Sequence, residues 1–162
     1  MSDQQISMFA DAGPAAGGKT VSFTVNRTVN AAAQAAFDRW LIPVFLEGWM
    51  FGPHSGDEEI EDLANTVRKG GDFAYKVKRD GQSVTYHGVY EELDIPRLLA
   101  FTWQQDDREA ERCHFHVQFN EEAGKTRLKL QAKIPEHMAE QRDSIKQLWS
   151  ERLNKLAEGF KK

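Results

Sequence analysis

The sequence predicts one α+β domain, in which a curved antiparallel sheet of about six or seven strands wraps around a long C-terminal helix. Two short helices are expected after the first strand. Apolar and polar residues alternate along several segments between residues 21 and 134, as they do in strands that are buried on one face. Turn residues such as Asp80-Gly81 separate these segments. From about Met138 to Phe160 the apolar residues follow helical spacing instead.

The first strand begins near Val21, and Asn30 is the expected N-cap of the helix that follows it. The segment after Pro43 is rich in bulky apolar residues and predicts a second short helix or a covering loop. Residues 21–162 are expected to form the single domain. Residues 1–20, rich in small and polar residues, are expected to form a flexible tail.

Composition argues against several classes of function. A net charge of −4 leaves no basic surplus for phosphate backbones, so nucleic acid is not an expected partner. The single cysteine, Cys113, cannot form an intramolecular disulfide and fits a reducing compartment. No apolar run approaches the roughly 20 residues that cross a bilayer, and no basic start precedes an apolar stretch. We therefore expect a cytoplasmic protein that does not act at a membrane.

Several short motifs occur in a characteristic order between about Ser22 and Phe160. They are AFDRW, an aromatic segment around Trp49, RKGGDF, GVYEELDIPRLLAFTW, Thr126-x-Leu128-x-Leu130, and Leu148-Trp149. Their order and spacing resemble the SRPBCC (START-like, helix-grip) superfamily. Within it, they resemble the branch related to the C-terminal domain of the heat-shock-protein-90 ATPase activator. The resemblance implies a helix-grip fold with a hydrophobic pocket. Related proteins bind lipids, sterols, polyketides or aromatic molecules, and some act as cyclases or cochaperone modules.

A set of aromatic residues is predicted to point into the space between the sheet and the last helix. For most of them individually, simple core packing explains this position. A helix laid across a strongly curved sheet leaves a hollow, however, and small-molecule sites are mostly apolar with a few polar anchors. The predicted ligand-binding residues are Trp49, Phe73, Tyr75, Tyr90, Trp103, Phe115 and Trp149.

Candidates for metal binding and catalysis are weaker. His114 and His116 share one strand face, whereas Cys113 lies on the other, so an exposed sheet surface is favoured over a zinc site. We expect no metal and no cofactor. Glu92 and Tyr90 are the only acid/base candidates that the interior offers, and Glu92 is more simply explained by pairing with Arg97.

Three functions follow from this reading. The leading hypothesis is binding of a small hydrophobic or amphipathic molecule, a lipid among them, which enters between residues 45–51 and the turns near Gly70 and Glu92. The second is a chaperone-associated or stress-response interaction module, with a chaperone as its partner. The third is a cyclase or hydrolase acting on an aromatic substrate. In each case we expect a monomer or a weak homodimer.

Overall fold

The computed structural model describes residues 19–42, 45–46, 49–50 and 59–160. Phe45, Leu46 and Trp49 are helical. In chain order the other elements are β1 (Thr20–Val29), α1 (Ala33–Leu41), β2 (Glu59–Asn65), β3 (Asp72–Arg79), β4 (Gln82–Asp94), β5 (Leu98–Gln105), a 3-10 turn (Glu109–Glu111), β6 (Cys113–Glu122), β7 (Lys125–Pro135), a second 3-10 segment (Glu136–Gln141) and α2 (Arg142–Glu158).

The seven strands form one sheet in the order β1-β7-β6-β5-β4-β3-β2, and every neighbouring pair is antiparallel. The helix-grip α+β fold predicted from the sequence is therefore confirmed. Residues 1–18 of the predicted tail lie outside the described residues, and Thr20 already pairs with Pro135 as the first residue of β1. No helix in the described part of the chain is long and apolar enough to cross a membrane.

The alternation read from the sequence sets which side of the sheet is buried. Along β6 and β7 every second side chain is buried, including Phe115, Val117, Leu128 and Leu130. Burying one face of each strand removes these side chains from water, which drives the sheet against α2. The expected hairpin at Asp80-Gly81 is also present, and both residues have positive φ.

The first helix is capped differently from the prediction. Ala32, not Asn30, is the N-cap residue of α1, and no side chain of its own caps the helix. Instead the backbone N–H of Ala33 donates a hydrogen bond of 2.9 Å to Glu121 Oε1 of β6. A carboxylate from a distant strand satisfies a donor that local sequence reasoning assigned to Asn30.

Helix α2 packs on the sheet through Trp149, Leu153 and Leu156, which are buried. Leu148, which the helical spacing placed on the same apolar face, is 36% exposed, so that part of the prediction is wrong. Arg27 of β1 holds the helix by donating hydrogen bonds to the backbone and hydroxyl oxygens of Ser150.

Candidate ligand-binding site

The predicted aromatic residues come together on the inner face of the domain. The Trp149 ring lies 4.7 Å from Phe115 and 5.4 Å from Trp103, measured between centroids. From Trp103 the contacts continue to Phe73, Tyr75 and Tyr90. Trp49 joins through the ring of Trp40. The structure thus connects all seven predicted residues in one aromatic cluster, defined as these seven together with Trp40, Tyr86 and Phe101.

Burial separates Trp103 from the other predicted residues. The remaining six are at most 3% exposed, as core packing requires. Trp103 is only partly buried, although the rings of Phe73, Tyr86 and Trp149 lie within 6.0 Å of it. The aromatic cluster therefore meets solvent at Trp103. The expected entrance beside residues 45–51 lies largely outside the described residues.

Trp40 is a member of the aromatic cluster that sequence reasoning missed as a site residue. Its ring is parallel to that of Trp149, with an interplanar angle of 4° and centroids 6.4 Å apart. The side chain is 3% exposed, and its indole Nε1 has no hydrogen-bond acceptor among the described residues. By contrast, Trp49 Nε1 donates to the Arg39 carbonyl oxygen at 2.9 Å. The helical spacing at Trp40 predicted only a buried helix face.

Arg152 is a second residue that sequence reasoning missed. Although charged, it is 3% exposed and lies on the inner face of α2. Its guanidinium carbon is 4.6 Å from the centroid of the Trp149 ring and 5.8 Å from that of Trp103, and its Nε donates to the Met50 carbonyl oxygen at 3.1 Å. A cation over aromatic faces is stabilised by the quadrupoles of the rings. The partly exposed end of the cluster therefore has a positive charge beside it.

A chain of hydrogen bonds crosses the other side of the interior. Tyr75 and Tyr90 are hydrogen-bonded through their hydroxyls, and Tyr90 donates to Asn65 Oδ1 at 2.5 Å. Asn65 Nδ2 in turn donates to the Leu41 carbonyl oxygen. Burial raises the pKa of the Tyr90 hydroxyl to about 12 and that of Tyr75 well above its usual value of 10. Both tyrosines are therefore neutral near pH 7, which suits hydrogen bonding better than proton transfer.

Glu92, the other acid/base candidate, faces away from the aromatic cluster. The register of β4 against β5 shifts between Tyr90 and Glu92, and Glu92 then lies opposite Ala100 on the outer face of the sheet. Its carboxylate is 3.5 Å from Lys69 Nζ. Arg97 pairs with Asp94 instead, so the predicted pairing of Glu92 with Arg97 is wrong. Glu92 is therefore not placed for acid/base chemistry in the interior, and the Tyr90 hydroxyl, which does lie there, is bonded to Asn65.

A family model described as "Activator of Hsp90 ATPase homolog 1-like protein" matches residues 30–161. This range covers most of the chain and includes both helices and six of the seven strands. The chain belongs to the activator of Hsp90 ATPase homolog 1-like family. The resemblance seen in the sequence motifs is thereby confirmed, and membership of this family indicates a ligand-binding domain. No curated protein matches the chain.

Solved structures share the fold of this family member. CV1439 from Chromobacterium violaceum superposes with a TM-score of 0.73 at 18% identity, covering 86% of this chain and 96% of its own. SA2116 from Staphylococcus aureus superposes with a TM-score of 0.72 at 15% identity, covering 87% of this chain and 93% of its own. CalU16 from Micromonospora echinospora superposes with a TM-score of 0.62 at 19% identity, covering 85% of this chain and 74% of its own. At these identities the likeness establishes the fold alone.

The outer face of this activator-like domain carries His87, His114 and His116. His114 Nδ1 is 3.3 Å from Glu91 Oε1, and the side chain of His114 is mostly buried. The prediction of a simple exposed surface is therefore wrong for His114, because its side chain packs beside Glu91 on the outer face. Cys113 faces inward as predicted, and burial raises the pKa of its thiol to about 12. Among the described residues, no group of three or more His, Cys, Asp or Glu could hold a metal ion.

A cleft of about 690 Å³ lies on this outer face. Ala74, Gly88 and Thr102 line it, with His87, Gln104, Arg112 and His114 among its polar residues. Several of these polar groups are bonded to one another or to the chain: Arg112 Nε donates to Gln104 Oε1, and Gln104 Nε2 donates to the Asp106 carbonyl oxygen. The cleft is on the side of the sheet away from α2, so it is not the cavity predicted between sheet and helix.

His116 is predicted to make the stability of the fold depend on pH. Burial lowers the pKa of His116 below 6.5, with Lys129 lowering it further and Glu92 opposing both. The unfolded chain therefore binds this proton more tightly than the folded chain. The contribution of neutral His116 to the free energy of unfolding is therefore complete above about pH 6.5. It is lost as the pH falls from there toward the pKa of His116 in the folded state. We expect His116→Gln to lose less of its free energy of unfolding than the wild type between pH 7.5 and pH 5.

Urea denaturation at the two pH values measures this difference. His137→Gln is the matched control, since it removes an exposed histidine instead of a partly buried one, and it is expected to lose more free energy of unfolding over this pH range than His116→Gln does. Equal losses in His116→Gln and the wild type would contradict the prediction.

Proposed function

We propose that this domain binds a small hydrophobic or amphipathic molecule, whose apolar part lies against the aromatic cluster at Trp103. The observation that carries the proposal is the position of Trp103, a partly exposed ring enclosed by buried aromatic side chains. Removing apolar surface from water would supply the affinity, at about 25 cal/mol per Å² before the cost of ordering the ligand. Membership of a family of ligand-binding domains supports this function.

The surroundings of Trp103 favour an amphipathic ligand over a purely apolar one. The Arg152 guanidinium lies 5.8 Å from the Trp103 centroid, and Arg79 Nη1 donates to the Tyr86 hydroxyl at 3.3 Å beside the same ring. Two cations therefore lie close to the exposed end of the cluster. A ligand with a carboxylate or hydroxyl group, such as a fatty acid or an aromatic acid, could keep that group near these charges while burying its apolar body.

A binding experiment on the full chain tests the proposal. We expect palmitate or 1-naphthoate at saturating concentration to raise the melting temperature, since a ligand at 100 times its Kd stabilises the folded state by about 2.7 kcal/mol. Trp103→Ala is expected to weaken binding at least about tenfold by removing the ring against which the ligand packs. Calorimetric titration gives the affinities.

Val89→Ala is the matched control, because Val89 is 41% exposed and lines the cleft on the outer face. It is expected to bind both probes as the wild type does. If neither probe shifts the melting temperature of the wild type, or if Val89→Ala reduces the affinity as much as Trp103→Ala, the proposed interior site is wrong.

A further inference from the structure

Among the residues that the structure describes, nothing accepts a hydrogen bond from the indole N–H of Trp40, which lies inside the aromatic cluster. The side chain is 3% exposed, and its Nε1 finds no acceptor in the parts of the chain that the structure describes. Buried indole N–H groups usually have a hydrogen-bond partner, and a buried donor without one destabilises the structure that contains it. A group that accepts this hydrogen bond would therefore be bound more tightly than an apolar group of the same shape.

Water is a poor candidate for that acceptor. A buried water molecule generally needs two to four polar partners. The rings around Trp40 belong to Trp49, Phe101, Phe119 and Trp149. Phenylalanine has no polar atom, and indole nitrogens donate but do not accept. A water beside Nε1 would thus find no acceptor for its own protons in these side chains.

Trp40 is close to the proposed ligand. The ring of Trp149 contacts both Trp40, at 6.4 Å, and Trp103, at 5.4 Å. One ring therefore separates the partly exposed end of the aromatic cluster from the unsatisfied donor.

We infer that the interior ligand carries a carbonyl or ether oxygen that accepts a hydrogen bond from Trp40 Nε1. This inference rests on the proposed function and narrows it to oxygen-bearing apolar molecules, such as aromatic ketones, quinones or esters. Trp40 is then a specificity-determining residue, and a hydrocarbon of the same shape is a poorer ligand because it leaves the donor unsatisfied.

The test uses two compounds that differ at one heavy atom. In 2-acetylnaphthalene a carbonyl oxygen occupies the place that a CH₂ group has in 2-isopropenylnaphthalene. The wild type is expected to prefer the ketone, and Trp40→Phe, which keeps a ring but removes the N–H, is expected to reduce that preference about tenfold. Val89→Ala, on the outer face of the sheet, is the control, and it is expected to keep the wild-type preference for the ketone.

A second measurement uses the unmodified chain, in case Trp40→Phe does not fold. The Trp40 indole proton is expected to shift downfield in the NMR spectrum when the ketone is added, but not when the alkene is added. If both compounds bind the wild type and its preference is unchanged in Trp40→Phe, or the proton does not shift, the inference is overturned while the binding function stands. The N–H would then point at an aromatic face. If neither compound binds the wild type, the inference fails together with the proposed function.

Discussion

Replacing Trp149 by alanine is expected to lower the free energy of unfolding by about 3–5 kcal/mol. Trp149 is 2% exposed, and its ring joins α2 to β6 through Phe115 and to β5 through Trp103. Its removal leaves a cavity at the centre of the aromatic cluster and takes away the aromatic face under Arg152. A shift of that size corresponds to a fall of roughly 10 °C or more in melting temperature. Thermal unfolding followed by far-UV circular dichroism measures it.

The neighbouring residue provides the control for this substitution. Leu148 is 36% exposed, so Leu148→Ala shortens a side chain on the same helix without opening an interior cavity. Leucine and alanine also have similar helix propensities. It is expected to change the free energy of unfolding by less than about 1 kcal/mol. Equal effects of the two substitutions would mean that α2 does not pack through Trp149.

Gly88→Ala is expected to cost more than about 3 kcal/mol, because the site has no room for a methyl group. A Cβ at Gly88 would overlap the Thr102 carbonyl oxygen, and it would lie 2.7 Å from the Thr102 carbonyl carbon and 2.8 Å from Phe73 Cζ. The first two atoms are backbone of the neighbouring strand, so β4 and β5 would have to separate. Urea denaturation of the purified variant, or loss of soluble folded protein, reports the effect.

Gly81→Ala separates this steric effect from backbone strain. Gly81 has a φ of 80° and open space around the position of a Cβ. Gly81→Ala is therefore expected to lower the free energy of unfolding by about 1–2 kcal/mol, which is the cost of the left-handed conformation for alanine. If Gly88→Ala is no more destabilising than Gly81→Ala, then the close approach of β4 to Thr102 is not a constraint on the fold.

The local pattern was sufficient to predict the strands but not their irregularities. Alternation assigns each residue of a strand to one face, and for Phe115, Leu128 and Leu130 that assignment is correct. The register shift in β4 between Tyr90 and Glu92 breaks the alternation, so Glu92 lies on the outer face rather than on the inner face with Tyr90. An extra residue in one strand is visible only against its partner strand. The orientation of Glu92 and the surroundings of His114 therefore had to come from the structure.

The candidate site was predictable in its apolar part and not in its polar part. Residues at alternate positions of one strand share a face, which pairs Phe73 with Tyr75 and Phe101 with Trp103, and burial of a single face of the sheet predicts that the two pairs lie on the same side. Arg152 was missed because an arginine on a helix is normally solvated, and its burial depends on Met50 and Trp103 from other segments. The unsatisfied N–H of Trp40 was likewise invisible, since the sequence does not show which acceptors surround a buried donor.

The four tryptophans lie so close together that their intrinsic fluorescence can report on the interior of the domain. Trp49 contacts Trp40, Trp40 contacts Trp149, and Trp149 contacts Trp103, with centroid separations of 4.6, 6.4 and 5.4 Å. Excitation energy passes readily between indole rings at these separations, so the four tryptophans emit as a coupled group rather than as independent fluorophores. A molecule that quenches Trp103 will therefore dim the whole group, and the intrinsic emission of the unlabelled protein can follow occupancy of its interior.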